Sequence, residues 1–512
     1  MNESVPVSRA RSSLWSSPHR PLTAGLALTV TLVAFESLAI ATVMPLVAAD
    51  LGGVALYGWV FSAFFLGNMV GIVAAGELAD AGGLERPYLL GLALFALGLL
   101  AGGLAPSMPV LVVARAVQGI GAGAIPAVAY VSIGRQYAPA LRPRMFAIMS
   151  TAWVVPGIAG PALAGLIAEL LSWRAVLLAL LPLVAVAAAI TTGPLRRVDP
   201  NGSPATSASP RRPGPTPDAA GPSPGPWAGF RRSRLVDVLR VAIGAGLVLG
   251  GLDTRDLPLL VVLGVTGAVV GLPALGRVLP VGTLHAATGL PATTLLRGVL
   301  MFGFTGAEAF VPLMLVSVRG LSAPVAGISL TAATVAWAVG SWVQARRVAA
   351  VGTAFLIRLG LALVVLGIAL VGAATWTAVP VLVGIAGWGV SGLGMGLGYA
   401  CITLLVLHLA PAGREGVATA GLQLSDVLGT ALGAGVGGIV LAEAPALGWD
   451  RAGALLATFV LAAVAVVGGI ALSARLGPGS RAGQAGAAGH AQWRDGPPEV
   501  GHGHSREEAA RG

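Results

Sequence analysis

The sequence predicts an all-α polytopic membrane protein: two pseudo-symmetric six-helix bundles with two extra helices between them, about 14 transmembrane helices in all. Three observations predict this fold. Of the 512 residues, 56% are hydrophobic and 10% charged, with a mean hydropathy of +0.85, whereas a soluble domain carries about 25% charged residues. Apolar runs of about 20 residues recur along the chain, each long enough to cross a bilayer as a helix. The runs also repeat: APALR at 138–142 answers to APAGR at 410–414, GIGAG at 119–123 to GLGMG at 392–396, and Glu36 to Glu308. All three pairs share one spacing to within one residue, and each links a helix to the one eight places later. Parallel repeats of this kind are a transporter architecture.

The spans fall in order near 22–46, 57–79, 87–106, 108–134, 145–169 and 174–192, which places the first bundle at 21–192 after a polar tail at 1–20. Residues 193–234 are rich in Pro, Ser, Gly and Arg and cannot bury a core, so they read as a disordered linker. Two further runs, 235–251 and 258–276, form an extra pair (235–276) that either crosses the membrane or lies on it; removing it leaves twelve spans and changes no parity. The second bundle, 277–475, holds spans near 291–317, 322–344, 350–372, 376–407, 417–442 and 452–473, and residues 476–512 form a polar tail.

Charge placement sets the orientation. Arg142, Arg144, the seven linker arginines, Arg346, Arg347 and Arg414 share a side with both termini; the opposite loops hold Arg174, Arg255, Arg319 and Arg451. Tyr57, Trp59, Trp173, Trp376 and Trp449 cluster at that opposite end, as an interfacial belt does, so both termini are expected in the cytosol. The net charge of +10 is therefore a topology signal rather than a nucleic-acid footprint. The lone Cys401 excludes an internal disulfide and a thiolate zinc cluster. His490, His502 and His504 are too loosely spaced in the tail to predict a metal site. No phosphate loop or nucleophile elbow is present, so an enzyme or a built-in ATP motor is not expected.

Glu36, Arg115, Glu308 and Asp426 are charged residues inside apolar spans, where a charge costs about 3 kcal/mol or more. At 1.5 Å per residue, Glu36 lies about 15 Å, Glu308 about 14 Å and Arg115 about 10 Å from the belt end. Arg115 is thus within side-chain reach of Glu36 in a polar cavity. Burial raises a carboxylate's pKa and a neighbouring arginine lowers it. This opposition makes Glu36, Arg115 and Glu308 candidates for proton coupling; a static pair that fixes helix packing is the alternative. Asp426 is either an inner proton or cation-recognition site, or an acid hydrogen-bonded to Gln423 or Ser425 neighbours. Gln118, Trp153, Trp388 and Gln423 are candidates for a substrate cavity, with ordinary packing as the rival role for the tryptophans. The glycine ladders are expected to let helices approach closely.

These residues resemble the major facilitator superfamily, and within it the fourteen-helix drug:proton antiporters, over roughly residues 20–475. Arg115, Gln118, Gly119, Gly121 and Gly123 match R-x-x-Q-G-x-G-x-G of the fourth helix. Gly160, Pro161 and Gly165 match G-P-x-x-G-G of the fifth, with Ala164 in place of a glycine. FESLAIATVMP at 35–45 carries an acid nine residues before a proline, with Glu36 where the family has aspartate. GELADAGGLERP at 76–87 resembles the gating motif G-x-L-x-D-x-x-G-R-K: Gly76, Asp80 and Gly83 are in place, but Ala81, Leu84 and Glu85 replace basic residues and leave only Arg86 nearby. The resemblance implies a monomeric secondary transporter in a bacterial inner membrane, exporting a drug-like small molecule against protons with no cofactor. A proton symporter, a lipid or metabolite exporter, and a non-transporting scaffold are the other readings.

Overall fold

The computed structural model describes Leu14, residues 19–196, residues 230–411 and residues 414–477. The two tails, most of the linker and the three tail histidines lie outside the described residues. Sixteen α-helices follow one another among the described residues: α1 (Arg20–Leu51), α2 (Tyr57–Gly82), α3 (Glu85–Gly103), α4 (Met108–Gln136), α5 (Arg142–Leu170), α6 (Trp173–Leu178), α7 (Leu180–Arg196), α8 (Phe230–Leu252), α9 (Leu257–Val278), α10 (Leu290–Glu308), α11 (Val311–Ser317), α12 (Ala323–Val351), α13 (Thr353–Ala373), α14 (Val381–Leu409), α15 (Glu415–Glu443) and α16 (Arg451–Leu472). Fourteen spans result by length and composition, because α6 with α7 and α10 with α11 each form one crossing.

Both interruptions have the same cause. Proline lacks the N–H that would bond to the carbonyl four residues earlier. Pro182 thereby leaves the Leu178 carbonyl without its helical partner, and α6 ends there; Pro312 does the same to Glu308 at the end of α10.

The two bundles repeat each other contact for contact. In the first, α2 and α3 pack on α4, while α5 and α7 pack on α1; in the second, α12 and α13 pack on α14, while α15 and α16 pack on α10. The glycine ladders make these approaches possible. A Cβ on Gly119 or Gly123 would sit 2.0 or 2.1 Å from the carbonyl oxygen of Phe64 or Asn68 on α2, and one on Gly121 would sit 2.4 Å from that of Gly91 on α3. A Cβ on Gly392 or Gly396 would likewise sit 2.2 or 2.3 Å from the Ala333 or Trp337 carbonyl oxygen of α12, and one on Gly394 would sit 2.4 Å from that of Gly360 on α13. Small residues take this role because nothing hydrophobic distinguishes a helix neighbour from a lipid tail.

The bundles meet along α5 with α12 and α2 with α15. Toward the end that carries Tyr57, Trp173 and Trp449 they are closely joined. Ser62 Oγ donates to the Ala431 carbonyl at 2.7 Å, and Thr331 Oγ1 to the Ile158 carbonyl at 3.1 Å. The Tyr57 hydroxyl donates at 3.1 Å to the carbonyl of Ala309, in the turn where α10 breaks. Gly58 and Gly165 have backbone of the opposite bundle where a Cβ would go, at 2.5 Å from the Ala434 oxygen and 2.7 Å from Pro324 Cα.

The extra pair α8–α9 straddles this seam, with α8 on both α2 and α15. A small apolar cluster of Leu66, Met69, Val238, Val241, Leu424 and Leu428 lies beneath it. Its connecting loop touches both bundles: Asp253 accepts from Trp59 Nε1 of α2 at 3.3 Å, and Arg255 pairs with Glu443 of α15 at 3.1 Å. At the other end Glu77 of α2 accepts from the Leu235 amide at 3.2 Å, and Arg277 of α9 closes on Asp237 of α8 at 2.6 Å.

Two predictions follow from these contacts. Gly121→Val has no room against α3 and is expected to cost about 1–3 kcal/mol or more of stability, read as a lowered unfolding midpoint in detergent. Burial pushes the Asp253 carboxyl above the usual carboxylate range, and the nearby Glu443 carboxylate adds to that push, against the Trp59 hydrogen bond that lowers it. The folded state therefore binds this proton more tightly than the unfolded chain, and stability falls as pH rises through the window above the ordinary carboxylate range. Asp253→Asn, which keeps an acceptor for Trp59, is expected to raise the unfolding midpoint at neutral pH, with the gain shrinking on acidification.

Candidate functional site

Arg115 and Glu36 form an ion pair at the centre of the first bundle, with side chains 1% and 0% exposed. The sequence fixes both helices in place: the α4 ladder docks on α2 and α3, which leaves the Arg115 face of α4 turned toward α1. Arg115 Nη1 donates to Glu36 Oε1 and also to Gln118 Oε1, the latter at 2.7 Å from one turn along α4. Its Nε donates to the Val60 carbonyl at 3.4 Å, and its guanidinium lies 4.0 Å from the centre of the Phe64 ring. Glu36 Oε2 and Gln118 Nε2 have no hydrogen-bond partner among the described residues. The guanidinium is held on several sides, while the carboxylate is held at one oxygen only.

Helix α1 runs to Leu51, beyond the end expected near residue 46, so Glu36 lies about 22 Å from that helix end. The pair forms nonetheless. Glu308 sits where α10 breaks, half-buried, and its carboxylate makes no hydrogen bond or ion pair among the described residues. Glu36 and Arg115 thus meet, and Glu308 forms no ion pair with Arg115 among the described residues.

A second charged group occupies the other bundle. Asp426 on α15 accepts from the Tyr399 hydroxyl of α14 at 2.8 Å, not from Gln423 or Ser425 neighbours. Gln423 is exposed, and Ser425 Oγ donates to the Thr294 carbonyl at 2.8 Å. Arg297 on α10, fully buried, lies 3.4 Å above the Tyr399 ring and donates to Thr403 Oγ1. Sequence reasoning passed over Arg297, Tyr399 and Thr403. The signal was present for Arg297, an arginine inside an apolar run like Arg115. No local pattern marks the other two, which matter only because α10 packs on α14 and α15.

The remaining candidates divide. Trp388 is fully enclosed, stacked on Phe304 with ring centres 4.8 Å apart, while Trp153 on α5 is 43% exposed. Gly160 makes ordinary contact with Phe35, whereas Pro161 and Gly165 press on Gly327 and Pro324 of α12 along the seam. In the loop after α2, Gly83 has φ +94°, a left-handed conformation that suits glycine. Asp80 pairs at 3.2 Å with Arg135 from the end of α4, which also donates to the Ala79 carbonyl at 3.0 Å. A charge contact is thus made from outside the degenerate motif. Gly76 has open space around it and Arg86 is exposed.

Two helix bundles related by an internal repeat, with buried or half-buried ionisable side chains on α1, α4, α10 and α15, define a class of polytopic membrane proteins. A sequence model of the Major Facilitator Superfamily matches residues 26–434. The chain belongs to that superfamily. It is similar to multidrug resistance protein 3 of Bacillus subtilis, 32% identical over 150 residues, 29% of each chain. It is also similar to the cephamycin export protein CmcT of Amycolatopsis lactamdurans, 37% identical over 172 residues, 32% of this chain and 35% of the relative. These matches span about a third of the relatives' length. In fold it resembles the crystal structure of the POT family transporter PepTSo, with a TM-score of 0.63 at 14% identity, covering 89% of this chain and 97% of that one.

The geometry of the pair makes a double-mutant cycle informative. Removing one partner of a buried ion pair costs about 3–5 kcal/mol, whereas replacing both with apolar groups is close to neutral. Arg115→Leu and Glu36→Leu are each expected to lower the unfolding midpoint strongly, and the double variant to recover most of the loss. Additive effects in the cycle would show that the pair contributes nothing as a unit.

Proposed function

We propose that this protein is a secondary active transporter that exports amphipathic, drug-like small molecules in exchange for protons, by alternating access in a bacterial inner membrane with both termini in the cytosol. The observation that carries the reading is the Glu36–Arg115 pair: two opposite charges buried together in an apolar bundle, with one carboxylate oxygen left unpartnered. Protonating Glu36 removes the charge that holds Arg115, and the guanidinium then has to find other acceptors or water. A buried pair whose desolvation cost nearly cancels its attraction is easily tipped either way. Substrate binding that favours the ionised form would release the proton, which is the coupling an exchanger needs.

The close contacts at the Tyr57 end support a conformation closed to the outside. Names of the relatives, multidrug resistance and cephamycin export, support export over uptake. Within this reading Glu308 and Asp426 are further proton or cation sites, Gln118 and the aromatic residues line the substrate path, and Asp80 with Arg135 latches the cytosolic loop.

Transport in proteoliposomes tests it. Glu36→Gln should slow efflux driven by a pH gradient about tenfold or more, while substrate exchange without a gradient stays within about twofold, the mark of a coupling residue as against a binding one. Equal loss of both activities would assign Glu36 to architecture, and unchanged gradient-driven efflux would remove it from coupling.

A further inference from the structure

The second bundle holds its charges in a different arrangement from the first. In the first bundle the guanidinium and the carboxylate meet. In the second, the Tyr399 side chain stands between them: Arg297 lies on its ring face at 3.4 Å, and Asp426 takes its hydroxyl at 2.8 Å. Arg297 is 1% exposed, and only its Nη2 is bonded, to Thr403. Its Nε and Nη1 have no partner among the described residues, and neither has Asp426 Oδ1. A buried donor left unsatisfied costs about 1–3 kcal/mol, more when charged. Two such nitrogens on one guanidinium, with the nearest carboxylate held off by a tyrosine, form a group built to accept an outside partner.

The surroundings say what kind of partner. Trp337 lies 5.3 Å from Tyr399 and Phe304 5.7 Å from Trp337, ring centre to ring centre. Tyr399 and Thr403, which cover Arg297, are themselves half-buried. A change of rotamer at Tyr399 would take its ring off the guanidinium.

We propose that Arg297, Tyr399 and Asp426 form a binding site for a small aromatic carboxylate. The carboxylate takes the free nitrogens of Arg297, whose planar donors match it. The flat apolar body lies against Tyr399 and Trp337. Where the ligand also carries an amine, Asp426 Oδ1 receives it. This inference rests on the transporter reading for its purpose, but it is tested by binding alone.

The full-length protein in phosphatidylcholine nanodiscs is titrated calorimetrically with indole-3-acetate, indole-3-acetamide and L-tryptophan, with empty nanodiscs as blank. Indole-3-acetate should bind at least about tenfold tighter than the neutral amide, a difference of about 1.4 kcal/mol. Arg297→Gln should abolish that preference, Arg297→Lys should retain part of it, and Asp426→Asn should weaken L-tryptophan relative to indole-3-acetate. Unfolding midpoints show which variants are folded, and the lysine variant carries the test if the glutamine variant is not. Equal binding of acid and amide by the unaltered protein, or a preference that survives Arg297→Gln, overturns the proposal. The assay contains no pH gradient, so absence of the preference in the unaltered protein beside intact gradient-driven efflux overturns this inference alone.

Discussion

A guanidinium inside the hydrocarbon slab is tolerated only where something other than lipid meets it, and most of this architecture follows from that requirement. Arg115 is met by Glu36, Gln118, the Val60 carbonyl and the Phe64 ring, drawn from three helices. Those helices have to converge on one point and stay converged. Charge at this depth costs several kcal/mol, so the packing that brings α1, α2 and α4 together and the pairing that makes the site bearable stabilise one another.

The convergence depends on glycine. Along α4 the ladder alternates its contacts, Gly119 and Gly123 against α2 and Gly121 against α3, and α14 does the same with Gly392, Gly396 and Gly394. Carbonyl oxygens occupy the positions where side chains would begin. Because the two ladders correspond residue for residue, the internal repeat is carried by backbone contact and not by a few similar letters. The same scaffold carries different chemistry in each half: Arg115 in the first occupies the repeat position of the enclosed Trp388 in the second. The second bundle instead brings its guanidinium from α10, where Arg297 meets Tyr399.

Much of this was legible in the sequence, and the reasons for success and failure are physical. The spans are legible because a membrane-crossing helix needs a long apolar run, a strong one-dimensional signal. The Glu36–Arg115 contact is legible because two opposite charges in one apolar bundle have few other places to go. The breaks before Leu180 and Val311 are less so: Pro156 and Pro161 sit inside an unbroken α5, while Pro182 and Pro312 end a helix. Proline in a sequence does not say which of the two will happen. Of the two readings of Asp426, the one that pairs it with Gln423 or Ser425 neighbours names the wrong partner: the hydrogen bond comes from Tyr399 on another helix. The Asp80 ion pair draws on Arg135, 55 residues away. Partners of this kind are set by which helix faces meet, and no run of neighbouring residues encodes that.

The central claim is that Glu36 takes up and releases a proton as the pair opens and closes. Infrared difference spectroscopy of the protein in lipid, with Glu36→Gln as the subtraction, reads this directly through the carbonyl stretch of a protonated carboxylic acid. A band belonging to Glu36 is expected to grow on acidification and to fade when an exported substrate is added. A Glu36 that stays ionised across the accessible pH range, or a band indifferent to substrate, would contradict a working pair and leave a fixed strut in its place.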